Sequence, residues 1–238
     1  MYSRMFILDE ARPFGIEIPG KCKSALKKYN GLKIIDSEDL ADDLFLFLDD
    51  YAKNKKLYLV GSGGVIAYTL MSRLGLKNDY EIINVNRLYK SGNLVDFKMD
   101  KKIDISDGIL IDDVIASGET LNFVIRESNS FMSDAACLII SGDIRSGYRQ
   151  EERSTVSNIR NVICPQKVDY KRGFPAIFSS RMLLKKVRED NGYKKYVSKY
   201  AKDNIDSLLK SINEVDITPF NVLYDDPEGF IKEFGGIK

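Results

Sequence analysis

The sequence predicts an α/β fold: a mainly parallel sheet with helices on both faces. Three observations lead to it. Short apolar runs, Leu57–Val60, Gly108–Ile111, Ala135–Ile140 and Asn161–Cys164, recur through the middle of the chain. Segments with helical apolar spacing separate them, so strands and helices alternate. The runs are apolar continuously rather than at every second position. Strands of that kind are buried on both faces, as in parallel sheets.

The elements follow in order. Met5–Leu8 reads as a short strand, and Pro13, Gly15, Pro19 and Gly20 punctuate what comes next. Ser37 reads as the N-cap of a helix with Glu38, Asp39 and Asp42 near its start. Leu40, Leu44, Phe47, Leu48 and Tyr51 form its apolar stripe, and the lysines between 53 and 56 close it. Leu57–Val60 is a strand, Gly61-Ser62-Gly63-Gly64 breaks it, and Val65–Leu74 is a helix ending at Gly75. That is the opening of a βα unit. Glu81–Val85 is the next strand. The turn-rich stretch Tyr89–Asn93, followed by Leu94–Phe97, predicts a hairpin. Gly108–Ile111 runs into Asp112 and Asp113, then a loop, then a helix over Thr120–Ser128. Ala135–Ile140 ends at Ser141-Gly142-Asp143, and Asn161–Cys164 is stopped by Pro165. Tyr193–Ile212 reads as one amphipathic helix, with Tyr196, Tyr200, Ile205, Leu208, Leu209 and Ile212 inward. The chain thus divides into an N-terminal segment, 1–36, a core over 37–165, and a C-terminal, partly helical segment over 166–238.

Composition narrows the chemistry. The 238 residues include no histidine. That excludes histidine-dependent hydrolases, a histidine general base and His-ligated zinc or iron. Acid–base work falls to Asp, Glu, Lys, Tyr or Cys, and any metal is a hard, oxygen-bound ion such as magnesium. The 36 basic and 35 acidic side chains leave a net charge of +1, which is no footprint for nucleic acid or an anionic membrane. Cys22, Cys137 and Cys164 are odd in number and lack metal spacing, so they support neither a disulfide framework nor a zinc site. Cys137 and Cys164 sit in apolar runs and read as core. The apolar runs fall short of the roughly 20 residues of a membrane helix, and no leader is evident. A cytoplasmic protein without nucleic-acid or membrane partners is expected.

One segment carries chemistry: Ile109-Leu110-Ile111-Asp112-Asp113-Val114-Ile115-Ala116-Ser117-Gly118-Glu119-Thr120-Leu121. An apolar strand delivers two adjacent carboxylates to its C-terminal end, where open α/β sheets bind ligands. A loop of small residues then opens a helix, and its amides, with the Ser117 and Thr120 hydroxyls, form a phosphate cradle. Paired carboxylates just ahead of a phosphate site suit paired hydroxyls on a sugar. The segment therefore describes a sugar phosphate.

The same thirteen residues resemble the phosphoribosyl pyrophosphate (PRPP) motif of the type I phosphoribosyltransferases. The resemblance implies that Asp112 and Asp113 bind the ribose hydroxyls. It also implies that Ala116, Ser117, Gly118, Glu119 and Thr120 hold the 5′-phosphate. Two residues depart from the pattern. Glu119 stands where the family has a non-acidic residue, so its side chain should point away from the phosphate. Ala116 stands where hypoxanthine-guanine enzymes carry Asp, which argues against that class. Gly61, Ser62, Gly63 and Gly64 resemble the family's pyrophosphate loop. Arg87 and Lys90 fall where the family places a hairpin that closes over the reacting centre, and there they would neutralise the departing pyrophosphate.

The resemblance implies a Mg²⁺-dependent enzyme, with the ion held mainly through PRPP, that transfers ribose 5-phosphate to a nucleobase. A homodimer is implied by the family alone. Adenine, xanthine, orotate and uracil remain open as bases; the resemblance implies a small hood over the base, formed by 166–238 with 1–36 able to join it, and there Tyr170, Phe174 and Phe178, able to stack, lean toward a purine. Asp143, Arg145 and Arg149 either line the site or lie on the surface. Each assignment has a plainer alternative: a solvated loop for the acids, a tight turn for the glycines, surface charge for Arg87 and Lys90. The rival reading is a non-catalytic PRPP-binding regulator on the same fold, and a third is a relative of phosphoribosyl-binding pyrophosphokinases.

Overall fold

A computed structural model of the 238-residue chain describes residues 5–20, 24, 33–90, 93–105, 108–116, 118–128, 130, 133–141, 159–168, 176–201 and 205–236. In chain order the strands are β1 (Met5–Asp9), β2 (Lys33–Asp36), β3 (Leu57–Val60), β4 (Tyr80–Ile83), β5 (Val85–Lys90) and β6 (Asn93–Met99). They continue with β7 (Ile109–Ile115), β8 (Ser133–Ser141), β9 (Ile159–Ile163), β10 (Gln166–Val168) and β11 (Ala176–Ser179). Among the described residues the longer α-helices are α1 (Ser37–Tyr51), α2 (Gly61–Arg73), α3 (Glu119–Glu127), α4 (Asn191–Ala201), α5 (Ile205–Asn213), α6 (Thr218–Asp225) and α7 (Pro227–Phe234). A wide helical turn, Met182–Lys186, runs into Val187–Glu189 ahead of α4.

The chain divides into two compact units. The larger comprises residues 38–86, 97–170 and 223–238. Its sheet runs in the order β10-β8-β7-β3-β4, with β9 also on β8, and the pairings among its described strands are parallel. The expected mainly parallel sheet with helices on both faces is therefore present. β9 and β10 share one edge of β8: β9 lies along Ser133–Ala136 and β10 along Ile139–Ser141. Pro165, which has no N–H to donate, marks the break between them. On one face Tyr58, Val60, Leu110, Ala135 and Cys137 pack with Leu121, Val124 and Ile125 of α3. On the other lies α2, with residues 63–72 buried. That helix is buried nearly all round because α7 covers its outer side. Ser72 Oγ donates to Gly235 O (3.0 Å), and Arg73 Nε to Phe234 O (2.6 Å).

The smaller unit comprises residues 1–37, 87–96 and 171–222. Its three-stranded sheet, β11-β1-β2, is also parallel, with Met5 opposite Ala176 and Phe6 opposite Lys33. At the carboxyl end of β1 the buried Glu10 carboxylate meets Arg181 at 2.6 Å and accepts the Ser179 hydroxyl. The Glu10 N–H donates to Ser180 Oγ at 2.9 Å. Asp190 caps α4, accepting from the N–H groups of Gly192 (2.8 Å) and Tyr193 (3.0 Å). Tyr89, Tyr193, Tyr196 and Phe178 form an aromatic cluster with centroids 5.4 to 6.0 Å apart.

Several elements differ from expectation. After Asp190 the described helical residues are Asn191–Ala201 (α4) and Ile205–Asn213 (α5), and 202–204, inside the helix expected over Tyr193–Ile212, lie outside the described residues. In α1 the buried stripe is Leu40, Ala41, Leu44 and Leu48, whereas Phe47 is 63% exposed. Position 47 lies just off the arc that the other four share on a 3.6-residue helix. The Ser37 hydroxyl donates to Asp9 O (2.8 Å), tying the start of α1 to the end of β1. Most consequential, α2 begins at Gly61, so the glycine run is the helix's first turn and not a loop ahead of it. The hairpin is present as the β5–β6 pair. Among the described residues no helix is long and apolar enough to cross a membrane.

Candidate functional site

β3 and β7 are neighbours, but their chains leave in opposite directions. β3 continues through α2 to β4 on one side; β7 continues through α3 to β8 on the other. Such a reversal opens a crevice at the carboxyl ends of the two strands, where α/β sheets hold ligands. β3 pairs with β7 only over Leu57–Leu59 and Ile109–Ile111. β7 runs on to Ile115, paired there with β8, with Asp112 opposite Cys137 and Val114 opposite Ile139. The two acids thus stand inside β7, past the end of β3 and beside the first turn of α2.

Strand alternation sends Asp112 to the face of Leu110 and Asp113 to the face of Ile111. Both are 4% exposed. The Asp113 N–H donates to Asp112 Oδ1 at 2.9 Å, which orients the first carboxylate. Gly63 lies against both acids: a Cβ there would overlap Asp113 Oδ1 and stand 2.5 Å from Asp112 Oδ1. At Gly64 a Cβ would overlap Ile111 O and stand 2.8 Å from Leu59 C. Gly61 has φ +56°, and Val60 before it is extended, so the chain turns from strand to helix within one residue. The glycines therefore let a helix N-terminus approach two buried carboxylates. The positive end of the helix beside two negative side chains is a favourable arrangement.

The second cradle follows β7. Gly118 has φ +77° and caps α3, and its carbonyl accepts the Asn122 N–H at 3.0 Å. Ala116 is exposed, Thr120 is half-buried, and Ser117 lies outside the described residues. Glu119 is exposed in the first turn of α3, where a carboxylate suits the helix dipole. One unit thus brings together Gly61, Ser62, Gly63, Gly64, Asp112, Asp113, Ala116, Gly118, Glu119 and Thr120 at the carboxyl ends of β3 and β7.

Arg87, half-buried, and Lys90, exposed, lie on β5 in the smaller unit. Phe178 lies on β11 in that unit, buried, with its ring 6.0 Å from that of Tyr196. Tyr170, Phe174, Asp143, Arg145 and Arg149 lie outside the described residues. Sequence reading missed the neighbour of Asp112 on the far side: Cys137, whose thiol is pushed up by burial, with Cys164 and the Asp112 charge adding to the effect. No spacing rule links positions 112 and 137; only the strand register does.

No family model matches the chain, and no curated protein matches it. Solved structures do. A purine phosphoribosyltransferase from Pyrococcus horikoshii Ot3 is 20% identical over 60% of this chain and 86% of its own, with a TM-score of 0.39. A hypothetical protein from Neisseria gonorrhoeae with bound ppGpp is 13% identical over 68% of this chain and 89% of its own, with a TM-score of 0.43. An adenine phosphoribosyl transferase from Trypanosoma brucei, in complex with AMP, pyrophosphate and ribose-5-phosphate, is 14% identical over 53% of this chain and 64% of its own, with a TM-score of 0.38.

Proposed function

We propose that the chain is a phosphoribosyltransferase that moves ribose 5-phosphate from PRPP to a nucleobase nitrogen and releases pyrophosphate. The observation that carries this reading is the buried Asp112–Asp113 pair between two helix N-termini, at the point where β3 and β7 part. Carboxylates accept hydrogen bonds from a vicinal diol, and helix N-termini bind phosphate oxygens. A sugar carrying a phosphate at each end matches that arrangement. The turn capped by Gly118 would take the 5′-phosphate, and the turn opened by Gly61 would take the pyrophosphate.

Asp112 and Asp113 are hard oxygen donors and fit a magnesium ion whose other ligands come from the diphosphate and water. Among the described residues no cluster of three or more His, Cys, Asp or Glu side chains could hold a metal by itself. When bound, the ion would supply charge neutralisation between the diphosphate and the acids. The chain's own residues would fix the ribose and hold both phosphates against their helix ends, and rate would come from positioning and charge stabilisation. Arg87 and Lys90 would assist the leaving pyrophosphate. Tyr170 and Phe174 would stack on the base, with a lean to a purine, whereas Phe178 is committed to packing against Tyr196.

The test is incubation with PRPP, Mg²⁺ and a panel of adenine, xanthine, orotate and uracil, with pyrophosphate release as the readout. Release with one base supports the reading. PRPP binding without turnover of any base overturns it in favour of a non-catalytic PRPP sensor.

A further inference from the structure

The register of β8 and β9 carries a second device. Ala135 stands opposite Val162 and Ala136 opposite Ile163, so the next step brings Cys137 opposite Cys164. Both side chains belong to the apolar layer beneath α3. Adjacent strands lie about 4.8 Å apart, within the Cα separation of about 4.4–6.8 Å that a disulfide spans. The register is the same on the other side of the pair, where Gln166 stands opposite Ile139. Cys137 is fully buried, whereas Cys164 is half-buried beside Pro165 and contacts Gln166 O at 3.1 Å.

We propose that Cys137 and Cys164 form a reversible intrachain disulfide, a redox-sensitive pair set directly beside Asp112. Cys164 is the attacking sulfur, because it is the more accessible of the two. The oxidant is a peroxide. The Cys164 thiolate attacks one peroxide oxygen, the O–O bond breaks, and hydroxide leaves and takes up a proton. The Cys137 sulfur, giving up its proton, then attacks the sulfenic sulfur of Cys164; the S–S bond forms, the S–O bond breaks and the hydroxyl leaves as water. Two thiols lose two electrons in all, and one peroxide becomes two waters. A small dithiol reverses the change. Because Cys137 shares a register position with Asp112, the new bond forms one strand away from that carboxylate. The inference is independent of what the acids bind.

The experiment uses the full chain with Cys22→Ser, so that only the pair remains. Stoichiometric hydrogen peroxide is added, and intact mass, denatured thiol count and a non-reduced peptide map are recorded. The expected result is loss of both thiols, a mass lower by two hydrogens, and one linked peptide joining Cys137 to Cys164, all reversed by dithiothreitol. Adding Cys164→Ser, at the less buried position, should abolish the linkage and leave Cys137 as a thiol. Oxygen addition at Cys164 with Cys137 still reduced, a link between chains, or no change would each overturn the proposal.

Discussion

Gly63 presses its Cα against the carboxylate of Asp113, leaving no room for a methyl group between the first turn of α2 and the second acid of β7. The contact joins two elements nearly fifty positions apart in sequence, and on it rests the closeness of the glycine turn to the acid pair. Neither partner can retreat, since both lie in the packed interior of the larger unit. Gly63→Ala should therefore lower stability by about 1–3 kcal/mol, as overpacking does, read as a lower urea midpoint at unchanged slope. Pyrophosphate release should fall with it. Gly20→Ala, where nothing lies within 4 Å, should leave both unchanged. A Gly63→Ala protein of native stability would mean that the turn does not seat against the acids.

Asp113→Asn keeps the shape of the side chain and removes its charge. If the acids hold a ribose diol, the loss of a charged hydrogen-bond acceptor should weaken PRPP binding by about tenfold to a hundredfold, measured by titration calorimetry, with an unchanged circular dichroism spectrum. Asp112→Asn should behave alike and should also loosen the Asp113 N–H contact. Undiminished PRPP binding in both variants would remove the acids from the ligand.

The left-handed Gly118 sets the entry to α3. Gly118→Val places a β-branched side chain where L residues are strained, at about 1–3 kcal/mol, and crowds the cradle. Asn adopts this conformation more readily, so Gly118→Asn should recover most of the stability. If Val were tolerated as well as Asn, backbone conformation would not be what Gly118 supplies. The readout is thermal unfolding, beside PRPP affinity.

Much of the central sheet was legible because its strands are short continuous apolar runs, and those of β7 and β8 are apolar enough to survive any reading. The acids were legible as a motif, but their seat was not. Residue spacing showed Gly61–Gly64 as a break, since glycine disfavours helix; only the closeness of Ile111 and Asp113 explains why glycine begins one here. The sheet β11-β1-β2 was largely illegible. It joins Met5 to Ala176, a pairing no local pattern encodes, and Lys33–Asp36 shows no strong apolar period. The Cys137–Asp112 adjacency was hidden for the same reason.

The smaller unit hangs on the buried pair Arg181–Glu10. Removing Arg181 leaves the buried Glu10 carboxylate without that counter-charge, so Arg181→Met should destabilise the chain by about 3–5 kcal/mol, read by urea unfolding. Adding Glu10→Gln should restore part of the loss, because the stranded charge is gone. Absence of any recovery in the double variant would show that the Arg181 side chain acts by packing rather than by pairing.

At the amino end of β8, Asp134 is buried, which opposes its charge, yet its carboxyl is held below the usual range. Tyr51 donates to it at 2.8 Å and Asn161 at 3.1 Å, with Arg160 and Lys55 nearby at 3.7 and 3.4 Å. The sign follows from linkage. A carboxyl with a depressed folded-state pKa contributes stability that is fully present above its unfolded value, about 3.9, and is lost as pH falls through the folded value. Asp134→Asn should therefore destabilise the chain at pH 7, and the difference from the parent should shrink as the pH drops below about 4. Urea midpoints from neutral pH down to the acid limit of folding measure this directly. A difference that stays constant across that range would mean the network acts through neutral hydrogen bonds alone, with no contribution from the Asp134 charge.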